Sequence, residues 1–200
     1  MCTEYEQHIC YAEYCKVMQD LALGIPIQQT ESDLAQNGRI KIGDMAPVMR
    51  SVGDNVVGLT QMRFGLPPVR KHGPVFNVRS QGKSFSDCHR CLVPATAFFE
   101  STEKERQKKH RFELIDAPLM AIAAIWRSGR KSRTLSFAML TTRPGPDVEP
   151  FNNRQVVVLR QKDWKAWLDL EKAANELLQP LPGGSLKVEN ASKCGPIDRR

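Results

Sequence analysis

The sequence predicts an α+β protein: a mainly antiparallel β core, curled into a pseudo-barrel, with flanking helices. Three observations carry this prediction. The middle of the 200-residue chain is a series of short runs rich in Val, Ile, Phe and Thr, parted by turn residues. Helical spacing of apolar residues is confined to the two ends of the chain. A core of about eight antiparallel strands curls on itself rather than staying open. The length fits one domain spanning residues 1–200.

Taken in order, residues 5–21 place Cys10, Tyr14, Val17, Met18 and Leu21 at helical spacing, and Gly24-Ile25-Pro26 ends that segment. PVMRSV, NVVGLTQMRFG, PVFNVR, RCLVPATAFFE, HRFELI, LMAIAAIW, TLSFAMLTT and RQVVVL then read as strands. Gly53-Asp54-Asn55 and Ser128-Gly129-Arg130 have the composition of hairpin turns. STEKERQKKH is a charged loop or hairpin tip between two strands. QKDWKAWLDL puts Trp164, Trp167 and Leu168 on one helical face, and EKAANELLQ continues helical until Pro180-Leu181-Pro182-Gly183-Gly184 breaks it. LKVEN is a final short strand.

Composition narrows the function classes. No run approaches the roughly 18 apolar residues of a membrane span, and the acidic, polar start is not a secretory signal. A cytoplasmic protein with no membrane partner is expected. Six cysteines in such a chain read as free thiols. Cys88-His89-Arg90-Cys91 is a C-x-x-C, but no second ligand pair matches it, so no metal and no cofactor are expected. The net charge of +7 favours a polyanion, and basic residues cluster at 63–71, 104–111 and 127–133. A basic face beside aromatic side chains suits single-stranded nucleic acid.

Polar residues embedded in apolar strands mark the candidate chemistry, since burying them costs free energy unless they are paired or used. They are Asn77 and Arg79 in PVFNVRSQ, Glu100 at the end of RCLVPATAFFES, Thr141 and Thr142 in FAMLTTRPGP, and Asn152, Asn153 and Arg154 before RQVVVL. Singly, each also fits a structural role: a solvent-facing carboxylate at a strand end for Glu100, a turn cap for Asn77, a surface ion pair for Arg154.

As a series they carry more. The chain has Met1-Cys2, MRFGLPP at 62–68, NVRSQ at 77–81, RCLVPATAFFES at 90–101, LTT at 140–142, FNNRQVVVL at 151–159 and DWKAWL at 163–168. In order and spacing this resembles the SOS-response-associated peptidase (SRAP) family of abasic-site-processing proteins, with its M-C-G-R start, R-W-G-l-x-P, N-x-R-x-E, R-C-x-x-P…E-W and H-x-R-x-P segments. The resemblance implies the SRAP fold and a protein that binds single-stranded or junction DNA containing abasic sites, associated with the nucleoid when DNA is damaged. It implies that Cys2 is the nucleophile once Met1 is removed, joining an abasic aldehyde in a thiazolidine crosslink, with possible release of Met1 by the protein's own site. Such a 1,2-aminothiol exists only at a chain end, and an α-amine of pKa about 7.7–8.0 is partly neutral near pH 7. The resemblance further implies that Glu100 is the general acid and base, that Asn77 orients Cys2, that Arg79 and Arg154 grip phosphate, and that Arg63 with Phe64 lines the DNA channel.

The chain departs from the family pattern at four places. Asn152 stands where the family has histidine, and asparagine carries no proton at neutral pH. Thr3-Glu4 replaces Gly-Arg, which would set an anion beside the DNA path, and Gln81 and Ser101 replace Glu and Trp. Two other readings stay open: a single-stranded-DNA binder without turnover, and a cysteine peptidase acting in trans. The peptidase would need a histidine beside its thiolate, and no motif places one there.

Overall fold

The structure is a computed structural model that describes residues 2–34, 38–68, 73–102, 108–129 and 133–191. The described chain runs β1 (Glu4–Gln7), α1 (Tyr11–Asp20), a 3-10 turn (Glu31–Leu34), β2 (Gly38–Lys41), β3 (Met45–Gly53), β4 (Val56–Phe64), β5 (Asn77–Arg79), β6 (His89–Ala95) and β7 (Ala97–Ser101). It continues through β8 (Lys109–Leu114), β9 (Met120–Ser128), β10 (Leu135–Thr142), β11 (Gln155–Val156), β12 (Val158–Leu159), α2 (Gln161–Leu168), α3 (Ala174–Leu177) and β13 (Leu186–Asn190). This is the expected α+β arrangement, mainly antiparallel and distributed over two sheets.

The larger sheet is ring-like rather than a strict barrel. Its strands follow β11-β10-β4-β3-β6-β9-β12, β9 also pairs with β10 and closes the circuit, and β5 adds to β10. Pairing is antiparallel except where β10 meets β4 and β5. The RQVVVL run helps close the ring: β11 pairs with β10, β12 pairs with β9, and between them Val157 donates its N–H to Leu140 and accepts one from Ala123. At the β3–β4 turn Asn55 takes φ 55°, a conformation that asparagine tolerates better than most residues.

The second sheet has five strands in the order β13-β8-β7-β1-β2. RCLVPATAFFE, read as one run, divides at Thr96 into β6 of the ring and β7 of this sheet, and the Thr96 N–H is taken by the Glu6 carbonyl. That change of sheet carries Glu100 away from the ring strands and toward the chain's beginning.

Two expectations are corrected. The helix does not start at Tyr5; residues 4–7 are a strand and the helix begins at Tyr11. The governing pattern there has period two. Tyr5 buries against Phe64, while Glu4 and Glu6 point to the opposite face and meet cations. The helix entry lies at Cys10, whose N–H donates to the Glu13 carboxylate at 3.1 Å. The C-terminal EKAANELLQ helix shortens to the single turn Ala174–Leu177, with Leu177 and Leu178 buried.

Two apolar clusters follow from strand alternation. One face of the ring, with Leu92, Ala121, Ala123, Ile125 and Leu140, packs against Tyr14 and Met18 of α1 and Trp164 and Trp167 of α2. The indole N–H groups of Trp164 and Trp167 donate to the carbonyls of Leu159 and Cys91, so neither buried donor is left unmet. The other face, with Val48, Met62, Phe64, Val93, Ile122, Phe137 and Met139, joins Cys2, Tyr5, Ile40, Phe98 and Phe112 of the second sheet in one cluster. The candidate site lies beside this second cluster. The charged connector of residues 103–107, the basic residues at 69–71 and 130–132, Arg130 of the second turn and Cys194 lie outside the described residues.

Candidate active site

Strand β7 alternates cleanly. Phe98 and Glu100 share one face and Phe99 and Ser101 the other, because Phe98 stacks on Phe112 across the pair at 5.0 Å. Glu100 is therefore not a solvent-facing carboxylate at a strand end: it is 1% exposed. Its Oε2 accepts from the Asn152 side-chain amide at 2.9 Å, and the same amide reaches the Ser101 carbonyl at 3.2 Å. Burial pushes Glu100 up to about 7, while the positive amino-terminal charge and a hydrogen bond from the Cys2 backbone act the other way. A carboxyl poised there gives and takes protons at neutral pH.

Asn152 is held by its loop. Asp147 accepts three backbone N–H groups, from Gly184, Ser185 and Leu186, which ties the loop to the start of β13. Val148 is buried and takes the Asn152 N–H, and the Asn152 carbonyl side-chain oxygen takes the Arg154 N–H at 3.3 Å. The amide N–H is thereby aimed at Glu100.

Cys2 is fully buried. Its Sγ–H donates to the Glu4 carbonyl at 3.2 Å, and its own carbonyl accepts from the Asn77 amide at 2.8 Å. Asn77 is thus no turn cap. It sits on β5 opposite Met139 of β10, and its side-chain Oδ1 is buried without a hydrogen-bond partner among the described residues. Burial, then the Glu100 charge, push the Cys2 thiol up, so sulfur is held as S–H rather than thiolate. That is the wrong state for a thiolate peptidase.

At the rim, the Arg154 guanidinium donates to the Thr141 carbonyl at 2.8 Å, to Thr141 Oγ1 at 2.9 Å and to Gln81 Oε1 at 3.0 Å. Burial first, and the neighbouring Arg79 second, make its charge less favourable. Two cations side by side, one of them held by neutral acceptors, attract an anion. Arg79 and Arg63 are exposed on their strands. Among the described residues no group of three His, Cys, Asp or Glu is placed to hold a metal. No helix among them is long and apolar enough to cross a membrane.

Two expectations are corrected here. Phe64 does not present a stacking face: it is 0% exposed, stacked on Phe137 at 5.1 Å and edge-on to Tyr5 at 5.9 Å. Glu4 is not an anion beside a DNA path: it is buried and pairs with Lys109 at 2.9 Å.

Residues 1–194 match the sequence profile of the SOS response associated peptidase (SRAP) family. The chain belongs to this family. Two curated relatives carry the name abasic site processing protein YoqW, one from Bacillus subtilis strain 168 and one from Bacillus phage SPbeta. Each is 27% identical over 97 residues, which is 46% of this chain and 43% of theirs, so the match spans less than half of those proteins. Solved structures agree in fold. A Bacteroides thetaiotaomicron protein aligns with TM-score 0.70 at 17% identity, covering 94% of this chain and 91% of its own. A Bordetella bronchiseptica protein gives 0.67 at 18%, covering 94% and 99%, and a phage-related protein of that organism gives 0.67 at 16%, covering 94% and 93%.

In this SRAP chain the fold brings together Cys2, Asn77, Glu100 and Asn152 through direct hydrogen bonds or charge, and sets Arg154 and Arg79 beside them. Sequence reasoning missed His110, which pairs with Glu100 across β7 and β8. The signal was present: His110, Phe112 and Leu114 alternate in HRFELI, so histidine shares the apolar face.

Proposed function

We propose that this protein is an abasic-site sensor that binds single-stranded DNA and crosslinks to it through Cys2 after removal of Met1. The observation that carries the reading is the meeting of Asn77 and Glu100 on the main chain of Cys2 inside a buried cluster. Removal of Met1 turns the Cys2 nitrogen from an amide into an amine, beside the Glu100 carboxyl, which burial makes harder to ionise. The family membership and the names of the YoqW relatives support an abasic-site substrate.

The amine attacks the ring-opened sugar aldehyde, and Glu100 moves the amine proton to the leaving hydroxyl, which departs as water. The thiol then adds across the imine carbon, sulfur bonding to carbon while its proton goes to nitrogen. Asn77 holds the Cys2 carbonyl and so the direction of the attack. Arg79, Arg154 and the exposed Arg63 meet the flanking phosphates. A single strand fits best, because only a sugar free of its complement reaches a buried amine. The protein acts in the cytoplasm, on damaged DNA, and release of Met1 by the same site is part of the proposal.

The test is a denaturing gel with an abasic single-stranded oligonucleotide, alongside an intact mass. A covalent band, a mass lacking one methionine, and loss of the band on Cys2→Ala are expected. A native mobility shift with no covalent band would instead make the protein a binder without turnover, a reading that the non-titrating Asn152 favours. Cleavage of an unrelated peptide, abolished by Cys2→Ser, would point to a peptidase acting in trans.

A further inference from the structure

Glu100 and His110 lie directly opposite each other in the β7–β8 register. Paired residues of an antiparallel ladder stand on one face with Cβ atoms roughly 4.5–5.5 Å apart. The next rung shows which face, since Phe98 and Phe112 stack there. His110 is 8% exposed, and its ring lies 4.2 Å from that of Phe151, the residue before Asn152. It therefore belongs to the cluster of Glu100 and Asn152, while its chain neighbours Lys109 and Arg111 turn to the other face and bind Glu4 and Glu6.

The arrangement has a direction. Glu100 is 1% exposed, His110 8%, and beyond His110 the edge strand β13 places the half-buried Asn190 opposite it. His110 is faced by Glu100 from β7, Asn190 from β13 and Phe151 from the loop after β10, with Lys108 preceding it on its own chain. Burial, then Lys108, hold the imidazole below its ordinary value, so at neutral pH it is uncharged and able to accept a proton.

The chemistry proposed above, on which this inference rests, has a proton to discard. Much of an α-amine is ammonium at neutral pH. Ammonium, thiol and aldehyde combine to a neutral thiazolidine, one water and one proton. Sulfur gives its proton to the ring nitrogen, so the surplus is the one that ammonium brought. Glu100 can take that proton but is sealed from solvent, and neither Asn77 nor Asn152 can carry it onward.

We propose that His110 is the proton outlet of Glu100, passing the surplus ammonium proton from the buried carboxyl to solvent at the β13 edge. The Glu100 carboxylate accepts the proton, the His110 ring nitrogen takes it from the carboxylic acid, and the imidazolium loses it to water. His110 acts through Glu100 and touches no reacting atom.

The experiment measures crosslink formation on abasic single-stranded DNA by the full chain and by its His110→Ala and His110→Gln variants. A rate lower on the order of tenfold near pH 7 is expected for both, and free imidazole added to His110→Ala restores it. An unchanged rate, or a loss that imidazole does not repair, overturns the proposal. A second readout needs no DNA: the His110 ring is titrated by NMR in the parent and in Glu100→Gln. In the parent the ring resonances also follow the ionisation of Glu100 near pH 7, a step that Glu100→Gln removes, and its absence in the parent overturns the coupling. Where the parent makes no crosslink at all, the crosslinking function fails, and the titration alone decides whether the pair exchanges a proton.

Discussion

The two faces of the five-stranded sheet treat buried carboxylates in opposite ways. On the outer face Glu6 pairs with Arg111 at 2.8 Å and Arg39 at 3.4 Å, Glu4 pairs with Lys109, and Glu113 joins Arg111 and Lys187. Arg111 in turn holds Glu113 below the usual carboxylate range. On the inner face Glu100 sits among Phe98, Phe112 and Phe151, bonded to a neutral amide and near the amino-terminal charge of the chain. The residue type is the same, and Glu4, Glu6 and Glu100 are all buried. The difference is the company. A side-chain cation on the same face of the sheet makes an acid structural, whereas an amide and aromatic rings leave it proton-labile near neutral pH.

The sharpest way to break this contrast is to neutralise one acid on each face. Glu100→Gln should slow crosslink formation by about 10²–10⁴-fold, the usual worth of general acid–base assistance. Glu6→Gln should leave that rate essentially unchanged. A time course on a denaturing gel reads both, and equal losses would abolish the distinction between the faces.

The next effect is on stability and has the opposite pattern. Glu6→Gln leaves Arg111 with weaker acceptors and should destabilise the fold by about 1–3 kcal/mol in urea unfolding. Most of that comes through the half-buried Arg111, since the more exposed Arg39 is better screened. Glu100→Gln keeps a side-chain oxygen that can accept from the Asn152 amide and should cost less than Glu6→Gln.

The smallest effect sharpens the comparison by pH. The folded-state pKa of Glu100 is raised from 4.5 to about 7, so its contribution to stability is full below the ordinary carboxyl range and is lost as pH rises through about 7. Glu100→Gln lacks this loss. Its Tm relative to the parent should therefore climb by a few degrees between about pH 5 and pH 8. A flat difference would mean that Glu100 is not buried as an acid. Glu113, whose folded pKa is depressed, works in reverse, contributing above the ordinary carboxyl range and losing that contribution as pH falls.

Much of the site was legible because its residues interrupt apolar strands. Asn77, Glu100 and Asn152 each stood out as polar groups where burial is costly, and each is found hydrogen-bonded or aimed into one cluster. Phe64 was misread because MRFG ends a strand, and exposure at a strand end is not written in its neighbours; Phe137, more than 70 positions away, covers it. Glu4 was misread for the same reason, since its partner Lys109 lies far along the chain. The start of the chain looked helical because Cys10 extends the spacing of α1 backward. The pairing of β1 with β2 and β7 overrides that pattern.

The sequence by itself determined the chemistry on offer: a cysteine behind the first residue, a carboxyl closing an apolar run, and amides and arginines spaced along strands of readable alternation. These are local properties, set by side-chain type and by the period of the backbone. Tertiary structure alone decided which acid titrates near neutral pH, which aromatic is sealed in the core, and that His110 stands opposite Glu100. Those follow from strand register and from desolvation by residues distant in the chain, and neither is encoded in any short stretch of it.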